Sequence, residues 1–120
     1  MHEKIQYNDI IVHLNYYFSK KINELKQLGI KDIILDLGFG FGKTVEDQYK
    51  MIEEVEHLGF GRFPFLIGIS RKSFIYKPLG KLPTEINEET QKLHRKVLEK
   101  GAKILRVHDV AETRNLVGEL

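Results

Sequence analysis

Three short apolar runs begin near residues 32, 65 and 103, and a helix-patterned stretch follows each of them. The first, Ile33-Ile34-Leu35, is continuous and mostly β-branched, as strands buried in a parallel sheet are. Crossovers of this length between strands require a parallel sheet with right-handed connections. A further helical stretch precedes the first run, so the predicted order is α-βα-βα-βα: three strands, four helices and no linker. Three parallel strands leave both sheet edges unpaired, which native sheets avoid. The chain therefore reads as one partial domain over 1–120, a slice of a larger barrel or open sheet, with missing strands expected ahead of Met1.

The punctuation between runs supports that order. Behind a polar lead, Asn8 or Asp9 can cap a helix with apolar positions Ile10, Ile11, Leu14, Tyr17, Phe18, Ile22, Leu25 and Leu28, and Gly29 closes it. A strand is predicted over 32–37. Thr44, with Asp47 in a weak capping box, starts a second helix whose stripe is Val45, Met51, Ile52, Val55 and Leu58, ended by Gly59. The second strand is predicted over 65–69, and 74–82 as a loop or short helical turn. A thin stripe of Ile86, Leu93, Val97 and Leu98 predicts a helix over 85–100, stopped by Gly101. Lys92, Arg95, Lys96 and Lys100 read as its solvated face. The third strand is predicted over 103–107, and Asp109 with Glu112 makes a capping-box start for a last helix. His2, His13, His57 and His94 are scattered and receive no role.

Bulk properties narrow the function. There is no cysteine, hence no disulfide or thiolate–metal framework. A net charge of +2 without a face-long basic cluster is not a nucleic-acid footprint. No apolar stretch approaches the roughly 18–20 residues of a membrane span, and there is no signal-peptide core. A cytoplasmic protein is expected.

In a parallel sheet the loops after the strands share one face, where active sites of barrels and open α/β folds are built. Here that face gathers Asp36 with the alternating Gly38-Phe39-Gly40-Phe41-Gly42-Lys43, then Ser70-Arg71-Lys72-Ser73, then Arg106 and His108. Cations and helix starts suit phosphate, and an acid beside aromatic rings suits a heterocycle, so an anionic, planar substrate is expected. Plainer roles stay open. Asp36 can accept loop N–H bonds, Arg71 and Lys72 can be solvated, and Arg106 can be held by an acidic neighbour. Two near-matches fail: Gly38-x-x-x-Gly42-Lys43-Thr44 is one residue short of a phosphate loop, and a dinucleotide fingerprint needs glycine where Lys43 stands. Neither H-E-x-x-H nor G-x-S-x-G occurs.

Taken together, Asp36–Lys43, Ser70-Arg71-Lys72-Ser73 and Arg106-Val107-His108-Asp109-Val110 resemble, in order and spacing, the later segments of the dihydropteroate synthase family, over about residues 7–113. The resemblance implies the carboxy-terminal portion of a TIM (β/α)8 barrel. It also implies condensation of 6-hydroxymethyl-7,8-dihydropterin diphosphate with p-aminobenzoate to dihydropteroate and pyrophosphate, in folate biosynthesis. By that resemblance Asp36 and Lys72 bind the pterin, and Gly40 and Phe41 line the pocket. Ser73 receives the p-aminobenzoate carboxylate with Arg71 shaping that side, and Arg106 and His108 hold the diphosphate. Asp36, Lys72, Arg106 and His108 are the expected catalytic set.

The sequence departs from the family's pattern at Leu37, where proline is usual, and at Glu88, Glu89, Arg95 and Lys96, where Gly, Ala and apolar residues are usual. The family uses Mg²⁺, but its strand-one ligand is absent from this chain, and no metal ligand is assigned here. The resemblance further implies a homodimer formed through the later helices. Two other readings stand beside this transferase: a related pterin-binding methyltransferase-type barrel, and a non-catalytic oligomerisation or pterin-binding fragment. The 120 residues alone are expected to be inactive.

Overall fold

The computed structural model describes residues 9–40 and 42–120, apart from the side chain of Phe60. Its elements run α1 (Ile10–Gln27), β1 (Leu35–Asp36), α2 (Val45–Glu53), β2 (Phe65–Ile67), α3 (Ser73–Leu79), α4 (Asn87–Glu99), β3 (Ile104–Leu105) and α5 (Val110–Gly118), with single 3₁₀ turns at Val55–His57, Gly59–Gly61 and Pro83–Glu85. The strands form one parallel sheet in the order β1-β2-β3, with Asp36 opposite Leu66 and Leu66 opposite Ile104. The alternative cap, Asn8, lies outside the described residues. Asp9 caps α1, its carboxylate accepting from the N–H groups of Ile11 and Val12.

Register and burial together give the sheet two unlike faces. Leu35, Leu37, Phe65, Ile67 and Ile69 are buried against a row of helices in which α1 packs on α2, α2 on α4 and α4 on α5. On the other face lie Ile34 and Asp36, both exposed, with Leu66 and Ile104 half-buried. The regular strands are shorter than predicted, because ladder bonding is confined to where neighbours align. It continues a little beyond them, with the Leu35 N–H donating to Pro64 O (2.9 Å) and the Arg106 N–H to Ile67 O (3.0 Å).

Several helical expectations need correction. Tyr17 and Leu28 are exposed, so the buried stripe of α1 is Ile10, Ile11, Leu14, Phe18 and Ile22. Helix α2 stops at Glu53, and the chain reaches Gly59 through a 3₁₀ turn. The stretch after β2 is a two-turn helix, α3, which keeps Pro78 in its last turn and buries Phe74 and Ile75. The cations on and just past α4 are not merely solvated: Arg95 pairs with Glu119 at the C-cap of α5 (2.6 Å), Lys100 at the C-cap of α4 with Glu56 (2.7 Å), and Lys96 with Glu53 on α2. Gly29 and Gly101 close α1 and α4 as predicted, with the Ile30 N–H reaching Leu25 O and the Ala102 N–H reaching Val97 O.

Candidate active site

The register brings the three strand ends together. Asp36 ends β1, Gly68 lies just past β2, and Arg106 lies just past β3, all on the face away from the helices. The Arg106 guanidinium lies over the Gly68 backbone: a Cβ there would sit 2.5 Å from Arg106 Nη2. A side chain at residue 68 would have to displace the guanidinium from this position. From there Arg106 Nη1 reaches Asp36 Oδ2 at 3.2 Å, while Asp36 Oδ1 accepts the Gly38 N–H at 3.2 Å. Two of the plain roles left open for these residues are therefore real: Asp36 takes a loop N–H, and Arg106 is held by an acid.

The neighbouring strand ends are tied more firmly. Ser70 is buried, and its Oγ lies 2.8 Å from His108 Nδ1 and accepts the His108 N–H at 3.2 Å. Arg71 pairs with Asp109, Nη2 to Oδ1, at 3.4 Å. This explains why the predicted capping box is not formed: Asp109 sits at the N-cap of α5, but its side chain makes no capping bond and turns to Arg71 instead. Lys72 caps α3 through its backbone alone, and Ser73 is the first residue of that helix, both half-buried.

The glycine–phenylalanine loop behaves differently from expectation. Gly38, Gly40 and Gly42 all have positive φ, of 58°, 116° and 72°, so the chain can turn tightly where side chains would be strained. Phe39, however, is buried and stacks on Phe74, centroids 5.7 Å apart, with Tyr49 edge-on to Phe74 at 5.2 Å. It anchors the loop to the core and does not cover a ligand, because its backbone position continues the buried side of β1. Phe41 lies outside the described residues. Beside this loop, a cleft of about 300 Å³ is lined by Asp36, Leu37, Gly38 and Lys43 together with His13 and Tyr17 of α1. Burial lowers the pKa of Lys43 below the ordinary lysine value, with Asp47 pulling the other way.

The structure thus joins Asp36 to Arg106 and places His108, Arg71, Lys72 and Ser73 along one rim, with Gly40 half-buried in the loop after β1. Sequence gives no site role to Gly68, and Ser70 and Asp109 enter there only as members of their motifs, without a role of their own. Their signal was position alone: Gly68 and Ser70 flank the end of a buried run, and Asp109 follows His108. Among the described residues no group of three or more His, Cys, Asp or Glu side chains converges to hold a metal ion. No helix among the described residues is long and apolar enough to cross a membrane.

Comparison with known proteins gives a consistent picture. Residues 1–108 match the family model described as pterin binding enzyme. Dihydropteroate synthase of Escherichia coli (strain K12) is 36% identical over 115 residues, which is 94% of this chain and 41% of that enzyme. The bifunctional dihydropteroate synthase/dihydropteroate reductase of Helicobacter pylori is 34% identical over 117 residues, 98% of this chain and 31% of that protein. Dihydropteroate synthase of Xanthomonas albilineans, solved with 4-aminobenzoic acid, superposes with a TM-score of 0.90 at 30% identity, over 98% of this chain and 46% of that one. The chain thus spans less than half the length of these relatives, and its three-stranded parallel sheet with flanking helices is a portion of their TIM barrel.

Proposed function

This chain belongs to the pterin-binding enzyme family, and from that premise we propose that it carries the carboxy-terminal strand-end face of a dihydropteroate synthase. The reaction joins the amine nitrogen of p-aminobenzoate to the methylene of 6-hydroxymethyl-7,8-dihydropterin diphosphate. The C–O bond breaks, its electron pair leaves with pyrophosphate, and the amine gives up a proton. The observation that carries the reading is the convergence of Asp36 and Arg106, 3.2 Å apart, with His108 and the turn of residues 70–73 on the same rim.

Each group has a role that follows from its chemistry. Negative charge grows on the leaving diphosphate, where Arg106 and His108 meet it. Ser70 holds Nδ1 of His108, which leaves Nε2 for a diphosphate oxygen. Positive charge grows on the pterin, and the Asp36 carboxylate offsets it. To do so Asp36 exchanges its Arg106 contact for the ring, so substrate binding opens that pair. Lys72 reaches the same ring. Ser73, in the first turn of α3, receives the p-aminobenzoate carboxylate, with Arg71 shaping that side, and Gly40 and Phe41 line the pocket. An arylamine is already a competent nucleophile, so positioning supplies much of the rate.

Because the chain spans 31–41% of the curated relatives, no turnover is expected from these residues alone. The cytoplasm as setting and a homodimer through the later helices belong to the same proposal. Exposed Val110 and Val117 on α5 support the dimer. Titrating a pterin analogue into the isotopically labelled chain tests the reading. Shifts at Asp36 and Lys72 are expected; shifts confined to other surfaces contradict it. In the full-length parent, p-aminobenzoate dependence separates a synthase from a pterin-binding methyltransferase.

A further inference from the structure

Arg71 stands apart in the backbone. It is the one non-glycine among the described residues with positive φ, at 58°, a conformation that an L-residue with a Cβ disfavours. It occupies the third position of a turn closed by the Lys72 N–H donating to Ile69 O at 3.1 Å. A glycine would be the ordinary choice there. Something must hold arginine in this shape, and the structure supplies a chain of contacts that reaches well behind the rim.

The chain of contacts begins at Arg71 Nη2, which meets Asp109 Oδ1. Asp109 is itself fixed through its carbonyl oxygen, which accepts both the N–H of Thr113 (3.1 Å) and its hydroxyl (2.9 Å). Thr113 Oγ1 accepts from Gln91 Nε2 at 2.9 Å, so α5 is pinned to α4 at this point. Gln91 Oε1 in turn lies 3.0 Å from Nδ1 of His94, which is fully buried. Burial keeps that ring neutral near pH 7, its pKa lowered to about 4, which lets Nδ1–H act as a plain donor. Thr113 is buried as well, and Gln91 is half-buried, so these contacts are shielded from water.

The consequence falls on Lys72 and Ser73, which follow directly on Arg71 and open α3. We infer that Asp109 is a positioning residue: it holds the Arg71 side chain, keeps residue 71 left-handed, and so aims Lys72 and Ser73 at the strand-end face. Gln91 and Thr113 hold Asp109 from behind. Arg71 is then a strut whose charge is already answered by Asp109, and the carboxylate of p-aminobenzoate is left to Ser73. That last step rests on the function proposed above; the backbone geometry does not.

Amide hydrogen exchange on the whole chain tests the inference without any ligand. In Asp109→Asn the Lys72 amide is expected to exchange about tenfold faster, the scale of one lost charge-assisted bond, while the Leu35 amide, bonded to Pro64 O, keeps its rate. The same substitution in an Arg71→Gly background is expected to change nothing, since glycine takes positive φ unaided. Thr113→Val gives a second route, with a smaller rise at the same amide. An unchanged Lys72 rate in Asp109→Asn, an equal rise at Leu35, or an undiminished effect in the Arg71→Gly background overturns it. Adding p-aminobenzoate to the same samples separates the two claims: no perturbation of Ser73 in the wild-type chain counts against the proposed function and leaves the positioning role of Asp109 standing on the exchange rates.

Discussion

The two gaps between the three strand ends are bridged in different ways. Between β2 and β3, backbone pairing passes without a break into side-chain pairing: Arg106 N to Ile67 O, then Ser70 with His108, then Arg71 with Asp109. Ser70 is buried, and the contacts behind it run into α4 and α5. Between β1 and β2–β3 the side-chain ion pair that crosses among the described residues runs from Asp36 to Arg106, with both side chains more than half exposed. Beyond it comes a loop with three glycines at positive φ. The side proposed to take the diphosphate and p-aminobenzoate is built in advance. On the pterin side the side-chain link to the other strands is an exchangeable ion pair, and the buried Phe39 ring anchors the loop.

That contrast can be broken most severely at the ring stack. Phe74 is fully buried and touches both Phe39 and Tyr49. Phe74→Ala is expected to cost roughly 3–5 kcal/mol by denaturant unfolding, and in the surviving folded fraction to speed exchange at residues 38–43 more than at 70–73. Equal loosening of both sides means that the loop does not depend on the stack.

Acid acts on the other side. His94 is neutral when folded, with a pKa of about 4 against an ordinary 6.5. The unfolded chain therefore binds the extra proton between those values, and stability present above pH 6.5 falls as pH drops towards 4. The loss is at most about 3 kcal/mol. A melting series in that window, compared with His94→Asn, should show a slope in the wild type that the variant lacks. Parallel slopes contradict it.

Two smaller effects complete the ordering. Ser70→Ala removes the oxygen that serves both the His108 ring and its N–H, and should cost about 1–2 kcal/mol while releasing the His108 ring, read from its NMR shifts. Asp36→Asn breaks an exposed pair, so stability measured by thermal unfolding should change by less than about 1 kcal/mol. Its effect belongs to pterin binding instead. A large thermal loss in Asp36→Asn makes that residue structural.

Legibility in the sequence follows the same divide. The parallel order, the helix closures at Gly29 and Gly101 and the convergence of three strand ends are readable, because periodicity and position decide them. Tyr17 and Leu28 fit the stripe by spacing yet lie exposed, because helical spacing cannot say where a neighbour stops covering it. Phe39 reads as one of the rings beside Asp36 because glycine neighbours mark a loop, whereas its burial depends on Phe74, 35 positions away. Asp109 looks like a cap because local spacing fits one, but a partner 38 residues away, Arg71, claims its carboxylate. Gln91 and His94 give no signal, since a buried polar chain is visible only once two helices are packed together.

The most direct measurement is a titration of the labelled chain with inorganic pyrophosphate, followed by a pterin analogue. If the β2–β3 side is ready-made, pyrophosphate alone shifts Arg106, His108 and Ser70, and the Asp36 resonance moves further when the pterin analogue arrives and takes that carboxylate. Pyrophosphate that leaves Arg106 and His108 unmoved, or a pterin analogue that binds without touching Asp36, contradicts the assignment of this face.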